Sequence, residues 1–335
     1  MRVFVVGATG YIGRQVVRAL LDRGHEVVAF ARPRSGVGAG SDEAATREVL
    51  DGAEVRFGEV TQVSSISQDG FRGESFEAVV SCLATRTGGV EDAWSIEHRA
   101  NAHVLSAARE RGVQRFVLLS AICVQKPRLA FQFAKLAFEE ELMASGLIWS
   151  IVRPTAYFKS LAGQVESVRA GRPFVMFGNG LTPESKPIGE RDLARYVAGC
   201  LDDPSRANRI LPIGGPGPVI TPRVQGELLS TALGRTPRFR RVPLWLFDGI
   251  IMVLSGLGRV SSWARDKAEF ARIGRYYASE SMLVWDDERG VYDPEATPSY
   301  GEETLEAFYG RVAAEGIAGQ ELGDHSLFTR KRTPS

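Results

Sequence analysis

Short apolar runs alternating with helix-period stretches organise the first half of this chain. Val3 to Val6 form an unbroken apolar run, and apolar positions then recur at Val16, Val17, Leu20 and Leu21 with the spacing of one helix face. The same reading predicts strands over Arg2–Val6, Glu26–Ala31, Glu54–Phe57, Ala78–Cys82, Arg115–Ser120 and Trp149–Val152. Helical patterns lie between them, clearest over Ala93–Arg111 and Phe131–Ser145. Strands that alternate with helices predict an α/β fold, a doubly wound parallel sheet covered on both faces. Beyond residue 155 the pattern loosens, with Gly and Pro breaks such as Gly214-Gly-Pro-Gly-Pro218. Helical periodicity returns over Glu190–Leu201, Pro222–Leu233, Leu244–Leu254, Ala264–Tyr277 and Glu302–Ala313.

This change of texture divides the chain into a domain over residues 1–155, a smaller and mainly helical lobe over 156–328, and a tail over 329–335. Some elements of the second part are expected to return to the first. The lobe is expected over the C-terminal ends of the strands, where open α/β sheets bind their ligands. The Gly/Ser-rich segment Ser35–Thr46 reads as a mobile loop.

The first strand runs directly into Gly7, Gly10 and Gly13 and then into a helix, which is the Rossmann arrangement for a dinucleotide. Gly7 allows the tight turn, Gly10 lets backbone approach a pyrophosphate, and Gly13 lets helix pack on strand. Thr9, Tyr11, Ile12 and Arg14 complete the phosphate-binding turn, where the helix N-terminus offers N–H groups and a positive dipole end. The second strand then decides between dinucleotides. An NAD site ends this strand with an acid for the ribose 2′-hydroxyl, whereas here Arg32-Pro-Arg34 follows it. Guanidinium groups suit a 2′-phosphate, so Arg32 and Arg34, with Arg14, point to NADPH. Glu59 after the third strand is placed to meet adenine. Cys82, Leu83 and Ala84 close the fourth strand, beside the adenosine ribose.

The bulk numbers exclude more than they assign. The 335 residues carry a net charge of +1, which gives no reason to expect nucleic acid or an anionic membrane as the main partner. Cys82, Cys123 and Cys200 are odd in number and widely spaced, so no disulfide framework is indicated and a reducing cytoplasm fits. The four histidines are scattered without metal-ligand spacing. The first strand begins almost at Met1, with no targeting segment before it. The most apolar stretch, Pro243 to Gly258, is too short to span a bilayer and carries Asp248. It reads as a buried or substrate-covering helix, with a membrane-surface helix as the other reading.

The reaction centre is legible from a substitution. Short-chain dehydrogenases carry a Tyr and, four residues later on the same helix face, a Lys; the Tyr protonates a carbonyl and the Lys holds the nicotinamide ribose. Here the fifth strand ends in Leu118-Leu-Ser120, as in those enzymes, and the next helix reads Phe131-Gln-Phe-Ala-Lys135. Ser120 and Lys135 are in place, but Phe131 stands where the Tyr belongs. Phenylalanine donates no proton, so reduction at carbon is favoured over reduction at a carbonyl oxygen.

The first part of the chain therefore resembles the atypical short-chain dehydrogenases that keep the Lys without the Tyr. A more specific resemblance runs from about residue 2 to residue 328. It is carried by Ser81-Cys-Leu-Ala84 with Arg86-Thr-Gly-Gly89, by Phe116-Val-Leu-Leu-Ser-Ala-Ile-Cys-Val-Gln-Lys-Pro127, and by Ser150-Ile-Val-Arg-Pro-Thr155. Phe158-Lys-Ser-Leu161, Leu211-Pro-Ile-Gly-Gly-Pro-Gly217, Arg272-Ile-Gly-Arg-Tyr-Tyr277 and Thr297-Pro-Ser-Tyr-Gly301 extend it. These strings are similar to the NADPH-dependent 3,8-divinyl chlorophyllide or protochlorophyllide 8-vinyl reductases. The N-terminal extension of the plant members is missing, which fits a bacterial phototroph.

What the resemblance implies is reduction of the 8-vinyl group of a magnesium porphyrin to ethyl. Such a tetrapyrrole also implies weak association with membranes or pigment-carrying partners. Tyr157 is the candidate proton donor beside Lys135, with water as the alternative. Cys123, Gln125, Lys126, Phe158 and Lys159 are candidate substrate contacts, with Lys126, Arg153 and Lys159 available to a propionate. Pro154, at the end of the sixth strand, belongs with the cofactor-binding set. Trp245, Phe247, Ile250, Met252, Phe270, Tyr276 and Tyr277 offer material for an apolar cleft or for plain core packing. Two other functions share parts of this pattern. One is a phenylpropanoid-type ene reductase, and the other is a non-catalytic NADP sensor or assembly factor.

Overall fold

The computed structural model describes residues 1–33, 42–85, 88–259 and 261–316. Within them the chain forms two compact units, one of residues 1–85, 90–154 and 190–213, the other of 86–89, 155–189 and 214 onward.

Unit 1 is a seven-stranded parallel sheet with helices between the strands. Its elements are β1 (Arg2–Val6), α1 (Gly13–Asp22), β2 (Glu26–Ala31), β3 (Glu54–Phe57), β4 (Ala78–Ser81), α2 (Asn101–Glu110), β5 (Arg115–Leu119), α3 (Ala130–Met143), β6 (Ile148–Pro154), α4 (Glu190–Gly199) and β7 (Arg209–Ile213). The strand order is β3-β2-β1-β4-β5-β6-β7. β1 pairs with β2 on one side and β4 on the other, so the topological switch point lies at its C-terminal end. The order makes the fold the predicted Rossmann sheet with one further strand.

Near-continuous apolar strands of this kind are what a sheet buried on both faces requires. Phe4 on β1 is fully buried and stacks with Phe71 at 4.4 Å between ring centroids, Phe76 at 5.3 Å and Phe30 at 5.7 Å. These rings belong to a core that also takes in Val79, Val104, Phe116 and Phe138.

Some details depart from the sequence reading. The predicted helix Ala93–Arg111 is three segments: Val90–Ala93, a π-helical stretch Trp94–Ala100, and α2. The predicted loop Ser35–Thr46 ends early, because Asp42 accepts a hydrogen bond from the Ala45 N–H at 3.0 Å and caps a helix Glu43–Val49. Residues 34–41 lie outside the described residues, as does the expected tail 329–335. β7 was not predicted as a strand: Pro212 interrupts it and its first residues are exposed, the marks of an edge strand.

Unit 2 contains the short parallel pair Phe174–Phe177 with Phe239–Val242 and the hairpin Val284–Asp286 with Val291–Asp293. Its helices include α5 (Pro222–Ala232), α6 (Trp245–Leu257), α7 (Ser262–Tyr277) and α8 (Leu305–Glu315). α5 packs against α8, and α6 against α7. Phe158, Phe174, Leu229, Leu305, Phe308 and Tyr309 form its core. The expectation that Pro243–Gly258 is a buried helix is corrected here, since α6 buries none of its residues.

Truncation of Phe4 removes the ring on which three others converge. Phe4→Ala is expected to lower the unfolding free energy by about 3–5 kcal/mol, read from urea denaturation.

Candidate functional site

The glycine turn at the end of β1 is fixed by absent side chains. Gly7 has a positive φ of 74°, and a Cβ there would lie 2.4 Å from the carbonyl oxygen of Cys82. A Cβ on Gly13 would lie 2.1 Å from the carbonyl oxygen of Gly7. Both distances are impossible for real atoms, so the turn, the end of β4 and the start of α1 touch through backbone alone. Gly10 is exposed, and a Cβ there would have only the Gly7 carbonyl near it, at 3.2 Å. The first turn of α1 carries no acidic residue. An N-terminal helix turn with these properties fits the phosphates of a dinucleotide.

The other predicted cofactor residues are distributed around this turn. Thr9 is half-buried and Ile12 buried. The Tyr11 hydroxyl donates to Glu190 at 2.5 Å, tying the turn to the first residue of α4. The Arg14 guanidinium lies over the Tyr11 ring, 5.9 Å from its centroid. Arg32 is exposed just beyond β2, and Arg34 lies outside the described residues. Glu59 is half-buried, and its backbone N–H donates to Ser65. Cys82 and Leu83 are buried and Ala84 is exposed where the chain leaves β4. Pro154 is buried at the end of β6, where its neighbour in register is Ile213.

Helix α3 carries the charged part of the site. Phe131, Lys135 and Glu139 recur every four residues on its buried face. Lys135 is 8% exposed and its Nζ donates to Glu97 at 2.7 Å, while Glu97 itself is 2% exposed. The other oxygen of Glu97 accepts the backbone N–H of Thr85, in the segment after β4, at 2.8 Å. Glu97 lies in the π-helical stretch, a backbone irregularity that recurs at functional sites. One helical turn before Lys135, the ring of Phe131 is buried.

Glu139 makes a second buried cluster. It accepts from the Ser120 hydroxyl and from Arg153, and it is 1% exposed. Ser120 is therefore engaged inside the protein. Arg153, expected to be available to a propionate, is instead paired with a carboxylate, because a buried Glu139 requires a cation. Gln132 receives the N–H groups of Arg128 and Leu129 and donates to the Cys123 carbonyl at 3.1 Å, which fixes the short 3₁₀ turn Ile122–Gln125. Cys123, within that turn, is buried; Gln125 and Lys126 are half-buried.

The remaining predicted residues belong to unit 2. Tyr157, at the N-cap of a short helix Phe158–Leu161, and Lys159, within it, are half-buried. Phe158, expected at the substrate, is a core residue: it is fully buried and packs on Phe308 at 5.2 Å. Glu97, Glu139 and Gln132 were missed by sequence reading. The spacing from Lys135 to Glu139 was the available signal, whereas nothing in the sequence pairs Glu97 with Lys135 across thirty-eight positions.

Fold and site together define an NAD(P)H-binding protein, and the family model described as NAD(P)H-binding matches residues 7–204. The chloroplastic divinyl chlorophyllide a 8-vinyl-reductase of Oryza sativa subsp. indica is 54% identical over 97% of this chain and 82% of its own. The Arabidopsis thaliana protein of that name is 50% identical over 97% of this chain and 79% of its own. This chain belongs to the divinyl chlorophyllide a 8-vinyl-reductase family. In fold it is similar to the NADPH-dependent quinone oxidoreductase QOR2 of Escherichia coli, with a TM-score of 0.67 at 16% identity over 92% of this chain and 99% of the other.

Two outcomes are expected of the buried groups. Glu97→Ala leaves the Lys135 ammonium buried without its carboxylate and is expected to cost about 3 kcal/mol in urea denaturation. Replacing both, Glu97→Gln with Lys135→Met, is expected to recover most of that loss. Burial pushes the thiol of Cys82 up to about 12 and that of Cys200 up to about 11. A raised thiol stays protonated below its own pKa, so both are expected to resist iodoacetamide at mildly alkaline pH until the protein is unfolded.

Proposed function

We propose that this protein uses NADPH to reduce the 8-vinyl group of 3,8-divinyl chlorophyllide a, or of its protochlorophyllide counterpart, to ethyl. The observation that carries the reading is Lys135, buried and aimed by Glu97, with Phe131 one turn before it in place of a phenol. Family membership supplies the pigment. NADPH, when bound, supplies a hydride equivalent for the terminal carbon of the vinyl group.

The chain's own residues do the rest by positioning. The turn Gly7–Gly13 and the start of α1 take the pyrophosphate. Arg32, with Arg14, takes the 2′-phosphate by charge-assisted hydrogen bonds. Lys135 has donors beyond the one given to Glu97, and these hold the nicotinamide ribose hydroxyls. Conjugation with the macrocycle spreads the negative charge that develops, so a tyrosine aimed at an oxyanion has no task here. The inner vinyl carbon takes its proton from Tyr157 or from water. The protein acts in the cytoplasm, at the surface of the membrane that holds the pigment.

The test is conversion of divinyl to monovinyl chlorophyllide by the purified protein, resolved by chromatography. Turnover is expected with NADPH and poor turnover with NADH; cofactor binding without pigment reduction would overturn the enzyme reading. In heavy water the label is expected on the inner carbon, and label on the terminal carbon alone would refute the assigned direction of addition. Lys135→Ala is expected to lose most of the rate. Arg32→Glu is expected to raise the KM for NADPH by roughly tenfold or more while leaving that for NADH nearly unchanged. Retained turnover in Tyr157→Phe would assign the proton to water.

A further inference from the structure

Helix α6 leaves its apolar side chains in solvent. Trp245 is 68% exposed and Met252 71%, and Leu246, Ile250, Val253 and Leu257 are exposed as well. At about 100° per residue these six, with Gly249 and Gly256, fill one continuous arc of roughly 160° that contains no charge. The other side of the helix is engaged with α7: Arg272 donates to Ser255 at 2.8 Å and Arg275 to Asp248 at 3.0 Å. The exposed arc is thus held outward by a polar seam on its back. Trp263, just beyond α6 at the start of α7, is also 64% exposed. A chain that only had to remain in water would not present so continuous an apolar surface.

Charge identifies the occupant. Residues 235–275 contain nine Arg and Lys against three acids, in a chain whose net charge is +1. Two of those acids, Asp248 and Glu269, are in ion pairs with Arg275 and Arg272. Arg240, Arg241, Arg259 and Arg265 flank the helix and are exposed. A second copy of this chain docking on the arc would bring like-charged rims together, which is unfavourable. An anionic bilayer surface satisfies both features, with the apolar arc at the acyl boundary and the arginines among the headgroups. Trp245 and Trp263 are of the residue type that prefers this interface. No described helix is long and apolar enough to cross a membrane, so the contact is one that lies on the surface.

We infer that α6 is a membrane-docking helix that seats unit 2 on a lipid surface bearing anionic headgroups. The inference deepens the membrane-surface location proposed above but uses no part of the pigment assignment; it is tested without NADPH or pigment, so failure of docking leaves the reductase reading standing. The full chain is mixed with vesicles of phosphatidylcholine alone or with added phosphatidylglycerol, and bound protein is measured by flotation. Binding is expected to the anionic vesicles, weakening with salt, and to be poor on phosphatidylcholine alone. Met252→Glu with Val253→Glu alters only exposed positions; it is expected to weaken binding about tenfold or more with the thermal unfolding midpoint unchanged. Arg240→Glu with Arg241→Glu is expected to remove the preference for anionic lipid. Absence of vesicle binding, or binding that the Met252/Val253 variant leaves intact, overturns the inference. So does a dimer in light scattering that the same variant dissolves, which would make the arc a contact between copies.

Discussion

The ordering constraint of unit 1 is steric: where β1 ends there is no room for a Cβ. The carbonyl of Gly7 occupies the space a side chain on Gly13 would need, and the carbonyl of Cys82 occupies the space a side chain on Gly7 would need. Backbone therefore meets backbone across three elements. α1 begins directly after this contact, so its N-terminus lies beyond the end of β1, where the order β2-β1-β4 places the switch point of the sheet. The bond from Tyr11 to Glu190, and the packing of α4 on α1, carry the same constraint to a segment that arrives much later in the sequence.

A second problem is the burial of charge. Lys135, Glu97, Glu139 and Arg153 all lie in or beside the core, and each is expensive there alone. The structure pairs them as Lys135 with Glu97 and Arg153 with Glu139, so that α3 presents a side chain from each pair one turn apart. The consequence for chemistry is economy of direction. Glu97 takes a donor of Lys135, while Ser120 is committed inward to Glu139.

The strands of unit 1 were readable because both faces of a parallel sheet are buried, which makes each strand a plain apolar run. β1, β2 and β3 match residue for residue. β7 was not readable, since an edge strand carrying Pro212 has neither the run nor the alternation. The π-helical stretch was equally silent, because one helical period differs little from another over seven residues. Among the candidate site residues, the glycine turn and Lys135 were singled out by spacing. Glu97 did not, because its role exists only once β4, the π-helical stretch and α3 converge. α6 was read as a buried helix on the strength of its composition. Hydrophobicity says that a side chain avoids water; it does not say whether the protein or something else provides the shelter.

The discontinuity of unit 1 carries a consequence for synthesis. Its sheet is completed by β7, and α1 is covered by α4, yet both come from residues 190–213, after the first stretch of unit 2 has been made. On the ribosome, β6 must therefore wait as an open edge while the fifty-four residues 155–208 emerge before β7. Unit 1 is finished from behind, by a segment already threaded through its neighbour's sequence. The two units are not consecutive in the chain, so unit 1 is complete only after the first stretch of unit 2 has been made.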